Sequence, residues 1–129
     1  MVNESLTHIY LSHNLLEKID ITGLPNLKSA MLNLNLILEV DVTHNTLLET
    51  ILISGNRLAH IDLSENSFLE VLYISGNNLQ SLDVSQNQSL RDLRPDRNPD
   101  LSCIKITDKQ GIEVTRLSDY QELNTSCDD

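Results

Sequence analysis

Apolar residues recur along this chain in a fixed order. Two lie three positions apart, a third follows two further on, and a polar residue, most often asparagine, closes the unit. The clearest copies are LETILISGNRLAHIDLSENSF (Leu48 to Phe68) and LEVLYISGNNLQSLDVSQNQS (Leu69 to Ser89), which superpose at a step of 21. Leu48/Leu69, Ile51/Leu72, Ile53/Ile74, Leu58/Leu79 and Leu63/Val84 coincide, as do Asn56/Asn77, Asp62/Asp83, Ser64/Ser85 and Asn66/Asn87. A fixed period of this length predicts a solenoid, in which each coil buries its neighbour and no single centre organises the core.

Asparagine marks the period twice. Asn14, Asn35, Asn56, Asn77 and Asn98 form one series at steps of 21; Asn45, Asn66 and Asn87 form another, with Leu24 one step earlier. Each period thus holds half-units of 11 and 10 residues, both close to L-x-x-L-x-L-x-x-N. The last two apolar residues of a half-unit are two apart, so they face one side of a strand. Asparagine follows where the chain turns, and its amide can pair backbone groups that the turn leaves open. Stacking predicts two ladders of buried Asn side chains that hold the scaffold together and do not form a binding site.

The nested pattern L-x-x-L-x-L-x-x-N-x-L-x-x-L-D-L-x-x-N runs from Leu6 to about Asn98 and resembles leucine-rich repeats, in particular the 21-residue subclass called IRREKO. Pro25 follows Leu24 where Asn is expected, and Pro95 occupies an apolar strand position, which predicts an irregular stack there because proline has no N–H. The resemblance implies a mainly β, right-handed solenoid with parallel strands on its concave side. The second half-units (IDIT, VDVT, IDLS, LDVS) are strand-like too, so short extended segments are expected on the convex side. About five coils at a strand spacing of ~4.8 Å predict a stack of roughly 24 Å, without long helices. The expected division is a solenoid over 1–106 and an irregular C-terminal cap over 107–129. Asn3 is in phase with Asn45, so the start reads as the tail of an earlier half-unit and the N-terminal end as truncated.

After Asn98 the period breaks. Leu101, Ile104 and Ile106 keep one more half-unit one residue out of phase, and from Thr107 the repeat is expected to be lost. Cys103 and Cys127 lie in this region, and two cysteines alone leave open a disulfide or two reduced thiols. The segment N-P-D-L-S-C-I resembles the opening of the cap in secreted leucine-rich-repeat proteins of Bacteroidota, which a second cysteine closes. That resemblance implies a Cys103–Cys127 disulfide and an extracellular or cell-surface location.

Composition narrows the function. Nine Lys and Arg against 19 Asp and Glu give a net charge of −10, which argues against nucleic-acid binding. No apolar run is long enough to span a membrane as a helix. The start lacks the basic flank and apolar stretch of a signal peptide. His8, His13, His44 and His60 fall at different phases and are not expected to converge on a metal. No nucleophile, phosphate-loop or paired-carboxylate motif is present, so an enzyme and a cofactor are not expected. Arg91, Arg94 and Arg97, interleaved with Asp92, Asp96 and Asp100, read as a salt-linked cap edge.

The candidate binding residues are the strand positions that alternate with the core. The central row is Tyr10, Met31, Leu52, Tyr73 and Arg94; beside it run His8, Ser29, Thr50, Val71 and Asp92 on one side and Ser12, Asn33, Ser54, Ser75 and Asp96 on the other. Aromatic residues and Met among small polar ones suit protein recognition; cross-strand packing without a partner is the alternative. From this set His8, Tyr10, Met31, Thr50, Leu52, Val71, Tyr73 and Arg94 are the candidates. On the other side Asp20, Asp41, Asp62 and Asp83 line up, with Thr22, Thr43, Ser64 and Ser85 two residues on. Stacked carboxylates repel, so hydroxyl donors with Lys18 and His60 nearby are expected to relieve them; a calcium row is the alternative, although one ladder offers too few oxygens. The expectation is a monomeric, non-catalytic module that binds a protein partner. The alternatives are a structural spacer or adhesin segment of a larger surface protein, or an intracellular signalling adaptor.

Overall fold

The computed structural model describes residues 2–127, and none of these is helical. Nine short strands appear in chain order: β1 His8–Tyr10, β2 Ser29–Met31, β3 Thr50–Leu52, β4 Val71–Tyr73, β5 Leu82–Asp83, β6 Asp92–Arg94, β7 Cys103–Lys105, β8 Val114–Thr115 and β9 Glu122–Asn124. One sheet has six parallel strands in the order β1-β2-β3-β4-β6-β8; the other has three in the order β5-β7-β9. The register carries the sequence period directly, as His8, Ser29, Thr50, Val71 and Asp92 pair in turn and Tyr10, Met31, Leu52, Tyr73 and Arg94 do likewise. On the opposite side the earlier coils run extended but pair only at a single bridge, Lys18 with Glu39.

The six-stranded sheet corrects the reading of the chain end. Thr107 to Cys127 does not abandon the solenoid: β8 extends one sheet beyond β6 and β9 extends the other beyond β7, giving a sixth coil in place of about five. Asp92 pairs with Val114 and Leu82 with Ile104, a step of 22, so the coil is out of phase with those before it. Its asparagines are replaced by glutamines. Gln110 Nε2 donates to the carbonyls of Val84 and Asn87, both at 2.8 Å, as Asn87 Nδ2 does to Leu63 and Asn66 at 3.0 and 2.8 Å. Gln121 Nε2 donates to Pro95 O at 2.9 Å. Each Gln also accepts from its own turn, Thr107 N to Gln110 Oε1 at 3.0 Å and Ser118 N to Gln121 Oε1 at 2.9 Å. Asp128, Asp129 and Met1 lie outside the described residues.

The core is a set of columns. Leu27, Leu48, Leu69 and Leu90 stack between coils, as do Ala30, Ile51, Leu72 and Leu93 along the strands, all at most 1% exposed. Leu101 and Ile104 continue the core into the out-of-phase region at 0% exposure. Pro95 is buried, and β6 ends just before it. Gly55 and Gly76 donate N–H to the carbonyls of Ser75 and Asp96 in the next coil, whereas the matching N–H of Arg97 takes Ser118 Oγ at 2.9 Å. The stack is irregular at this step, because the next strand no longer follows in phase.

The two Asn series make different ladders. In the first, Asn77 Nδ2 donates to Ile53 O at 3.0 Å and Ile74 O at 3.1 Å, while Oδ1 accepts from Leu58 N at 3.0 Å; Asn35, Asn56 and Asn98 repeat this arrangement. Asn14 is the exception, exposed and bonded only to Leu11 O and Ser12 O of its own coil. In the second series Asn45, Asn66 and Asn87 are 0% exposed and donate across coils, but their Oδ1 atoms have no partner.

Candidate functional site

The six-stranded face places the candidate row as the register dictates, one strand spacing per residue. Tyr10 projects furthest at 66% exposure, with its ring stacked near His8 at 6.3 Å between centroids. Met31, Leu52 and Tyr73 are half-buried against one another, and Thr50 and Val71 flank them in the same state. At the far end the row is tied down. Tyr73 Oη donates to Asp92 Oδ2 at 2.9 Å, Arg94 Nε donates to Asp92 Oδ1 at 3.2 Å, and the guanidinium of Arg94 lies 4.2 Å from the Tyr73 ring centre. The hydrogen bond to Asp92 holds the Tyr73 phenol above the usual tyrosine range.

Alternation alone places every member of the flanking rows in solvent, and here the structure corrects it. Ser29, Asp92 and Asp96 are at most 9% exposed. Asp92 is covered by the two long side chains that bind it. Asp96 Oδ1 is buried without a partner, while Oδ2 lies 3.7 Å from Arg97 Nε. Arg91 pairs with Glu70 of the preceding coil at 3.3 Å. The three arginines are thus each matched to a carboxylate.

On the opposite side Asp20, Asp41, Asp62 and Asp83 each accept the backbone N–H and the hydroxyl of the Thr or Ser two residues on. For Asp41 the distances are 2.9 Å from Thr43 N and 2.6 Å from its Oγ1. The hydroxyl bonds, then the backbone bonds, hold Asp20, Asp41 and Asp62 below the ordinary carboxylate range. Neither Lys18 nor His60 forms an ion pair with them, contrary to the expected relief; the one imidazole beside the ladder is His44, with Nδ1 3.6 Å from Asp41 Oδ2. The reason is geometric, since each carboxylate turns toward its own Thr or Ser. No group of three His, Cys, Asp or Glu converges among the described residues. Cys103 and Cys127 are joined, with Cα atoms 5.8 Å apart, which ties β7 to the end of the sixth coil.

The turn glutamines were missed by sequence reasoning. Thr107-Asp108-Lys109-Gln110 and Ser118-Asp119-Tyr120-Gln121 are alike in sequence and in the bond their Gln accepts, although Lys109 has positive φ and Tyr120 does not, and that short internal repeat was the available signal.

Comparison with known proteins agrees with this architecture. A family model described as Leucine Rich Repeat matches residues 5–27 and 68–96. No curated protein matches the sequence significantly. The chain is similar over 98% of its length to the functional domain of InlJ from Listeria monocytogenes, which includes a cysteine ladder, with 28% identity and a TM-score of 0.62. It spans 32% of that chain, about a third. No helix is long and apolar enough to cross a membrane among the described residues. Parallel coils in 21-residue register, closed by asparagine ladders and matched by family and by structure, show that the chain folds as a leucine-rich-repeat solenoid.

Proposed function

We propose that the chain is a non-catalytic interaction module of an extracellular or cell-surface bacterial protein, presenting its six-stranded face to a protein partner. The observation that carries the reading is the in-register row Tyr10, Met31, Leu52, Tyr73 and Arg94, whose side chains the core does not need. Such a row is fixed before a partner arrives, so little ordering entropy opposes binding. The Cys103–Cys127 disulfide supports an oxidising compartment over an intracellular adaptor. The two asparagine ladders support the nested 21-residue subclass, and the disulfide supports a closure like that of secreted Bacteroidota proteins.

A pull-down from the native extracellular milieu tests it. The Tyr10→Ser, Leu52→Ser, Tyr73→Ser triple variant is expected to lose the partner that wild type retains, with its circular dichroism unchanged. Retention of the same partner by a folded triple variant refutes the assignment of this face. The second reading is a structural spacer or adhesin segment of a surface protein, favoured by the half-buried state of Met31, Leu52 and Tyr73, which cross-strand packing alone accounts for.

A further inference from the structure

We propose that the flank and outer face of the first two coils form a second docking surface, for a protein segment that carries apolar side chains beside lysine or arginine. Three leucines on the flank are strongly exposed: Leu15 at 82%, Leu34 at 50% and Leu38 at 58%. Leu15 sits in the first coil. Leu34 and Leu38 sit in the second coil, between two others, so stacking a further coil on the first would not cover them. The equivalent positions in the next coils are Gly55 and Ala59, then Gly76 and Gln80.

Leu34 is also held in a backbone conformation that disfavours it. The same turn position has positive φ in five coils, at His13 (60°), Leu34 (59°), Gly55 (69°), Gly76 (65°) and Arg97 (59°). Glycine adopts this conformation freely, and a bulky side chain does so only under strain. A Cβ on Gly55 would stand 2.6 Å from Leu34 Cδ2, so Leu34 lies across the space that the glycine leaves open. The repeat sets this conformation, since His13 and Arg97 share it; what is particular to Leu34 is a bulky apolar side chain held half-exposed there.

Leu38 directly precedes Glu39, which lines a groove on the outer face with a volume of about 430 Å³. Half-buried Ile19 and Val40 contribute its apolar surface, and Asp20, Glu39 and Asp41 line it against a single ammonium, Lys18. Asp20 and Asp41 commit Oδ1 to Thr22 and Thr43, and neither Oδ2 accepts a hydrogen bond among the described residues. Apolar surface edged by excess carboxylate fits an apolar segment with cationic side chains. A second copy of this chain fits poorly, because each carries a net charge of −10 and the groove itself is lined by carboxylates.

The test is a titration of ¹⁵N-labelled protein with a short alternating leucine–lysine peptide, with a leucine–glutamate peptide of equal length as control. The leucine–lysine peptide is expected to shift amides of residues 15–22 and 34–41 and leave the six-stranded face unmoved. Leu34→Gly with Leu38→Ser is expected to weaken binding by about tenfold or more without changing charge. Because Leu34→Gly relieves the backbone strain, the melting temperature of that single variant should hold or rise, which separates lost binding from lost folding. The Tyr10, Leu52, Tyr73 triple variant should bind the peptide as wild type does. Equal binding by the double variant, shifts centred on β1–β4, or equal binding of the leucine–glutamate peptide would each overturn the proposal. So would self-association of the wild type, measured by sedimentation, that the double variant loses.

Discussion

Replacing Asn77 by leucine and Asn66 by leucine removes the same amide from two ladders that look alike in sequence, and the structure predicts very different losses. Asn77 donates to Ile53 O and Ile74 O and accepts from Leu58 N. In Asn77→Leu the two carbonyls keep a partner each, Asn56 Nδ2 and Asn98 Nδ2, both at 3.1 Å. The Leu58 N–H keeps none and sits in the core, where Leu58 is 0% exposed. A stranded buried donor costs about 1–3 kcal/mol, and two lost amide bonds add about 1 kcal/mol each, so the expected loss is about 3–5 kcal/mol. In Asn66→Leu the carbonyls of Val42 and Asn45 keep the backbone donors Asn45 N (3.0 Å) and Leu48 N (3.2 Å). The substitution also removes Asn66 Oδ1, which is buried without a partner. The expected loss there is about 1 kcal/mol or less. For a chain of this size the melting temperature should fall by roughly 10–20 °C for Asn77→Leu and by roughly 3 °C for Asn66→Leu. Thermal and urea unfolding followed by circular dichroism measures both. Equal shifts, or a larger one for Asn66, would refute the account of which ladder carries the scaffold.

Three further outcomes are expected. Asp20, Asp41 and Asp62 have depressed pKa values in the folded state, so their contribution to stability is complete above the ordinary carboxylate range and is lost as the pH falls through the folded values. Carboxyl-carbon NMR titration should find Asp41 below 3.8 in wild type and closer to it in Thr43→Val, where the hydroxyl bond is gone. Reducing the Cys103–Cys127 bond frees a loop closed over a separation of 24 residues and should cost about 3 kcal/mol on the chain-entropy model, read as a lower melting temperature in reductant. Gln110→Ala should strip the bonds to Val84 O and Asn87 O and raise amide exchange in residues 107–127 while coils one to four stay protected.

What was legible in the sequence was whatever the period encodes. Leu48, Ile51 and Ile53 repeat as Leu69, Leu72 and Ile74, and a shared column follows because each coil must bury its neighbour. The sixth coil was illegible because its backbone repeats while its side chains change: Gln110 and Gln121 reach with one more methylene to carbonyls that Asn serves elsewhere, and a 22-residue step hides the phase. The candidate face was legible as rows, but not as depths. Alternation says that Asp92 points away from the core; it does not say that Tyr73 and Arg94 will fold down over it. The flank was not legible either, since Leu15, Leu34 and Leu38 read as ordinary apolar residues until their backbone and exposure are known.

These depths give the six-stranded face a direction. At the Arg94 end, the guanidinium over the Tyr73 ring and the shared Asp92 carboxylate fix both long side chains, so a partner meeting them loses little side-chain entropy. At the Tyr10 end the ring is two-thirds exposed and stacked near His8, so holding it must be offset by contacts the partner brings. Between them Met31 and Leu52 offer deformable apolar surface without any polar group to satisfy. On the proposed reading specificity belongs to the Arg94 end, where the fixed Tyr73–Asp92–Arg94 arrangement fits only a complementary surface. On the same reading affinity belongs to the centre, where burial of Leu52 and its neighbours would remove apolar surface from water. On this reasoning Arg94→Lys should alter which partners are accepted more than Leu52→Ala does, because lysine keeps the charge but loses the planar group that lies over Tyr73 while bonded to Asp92.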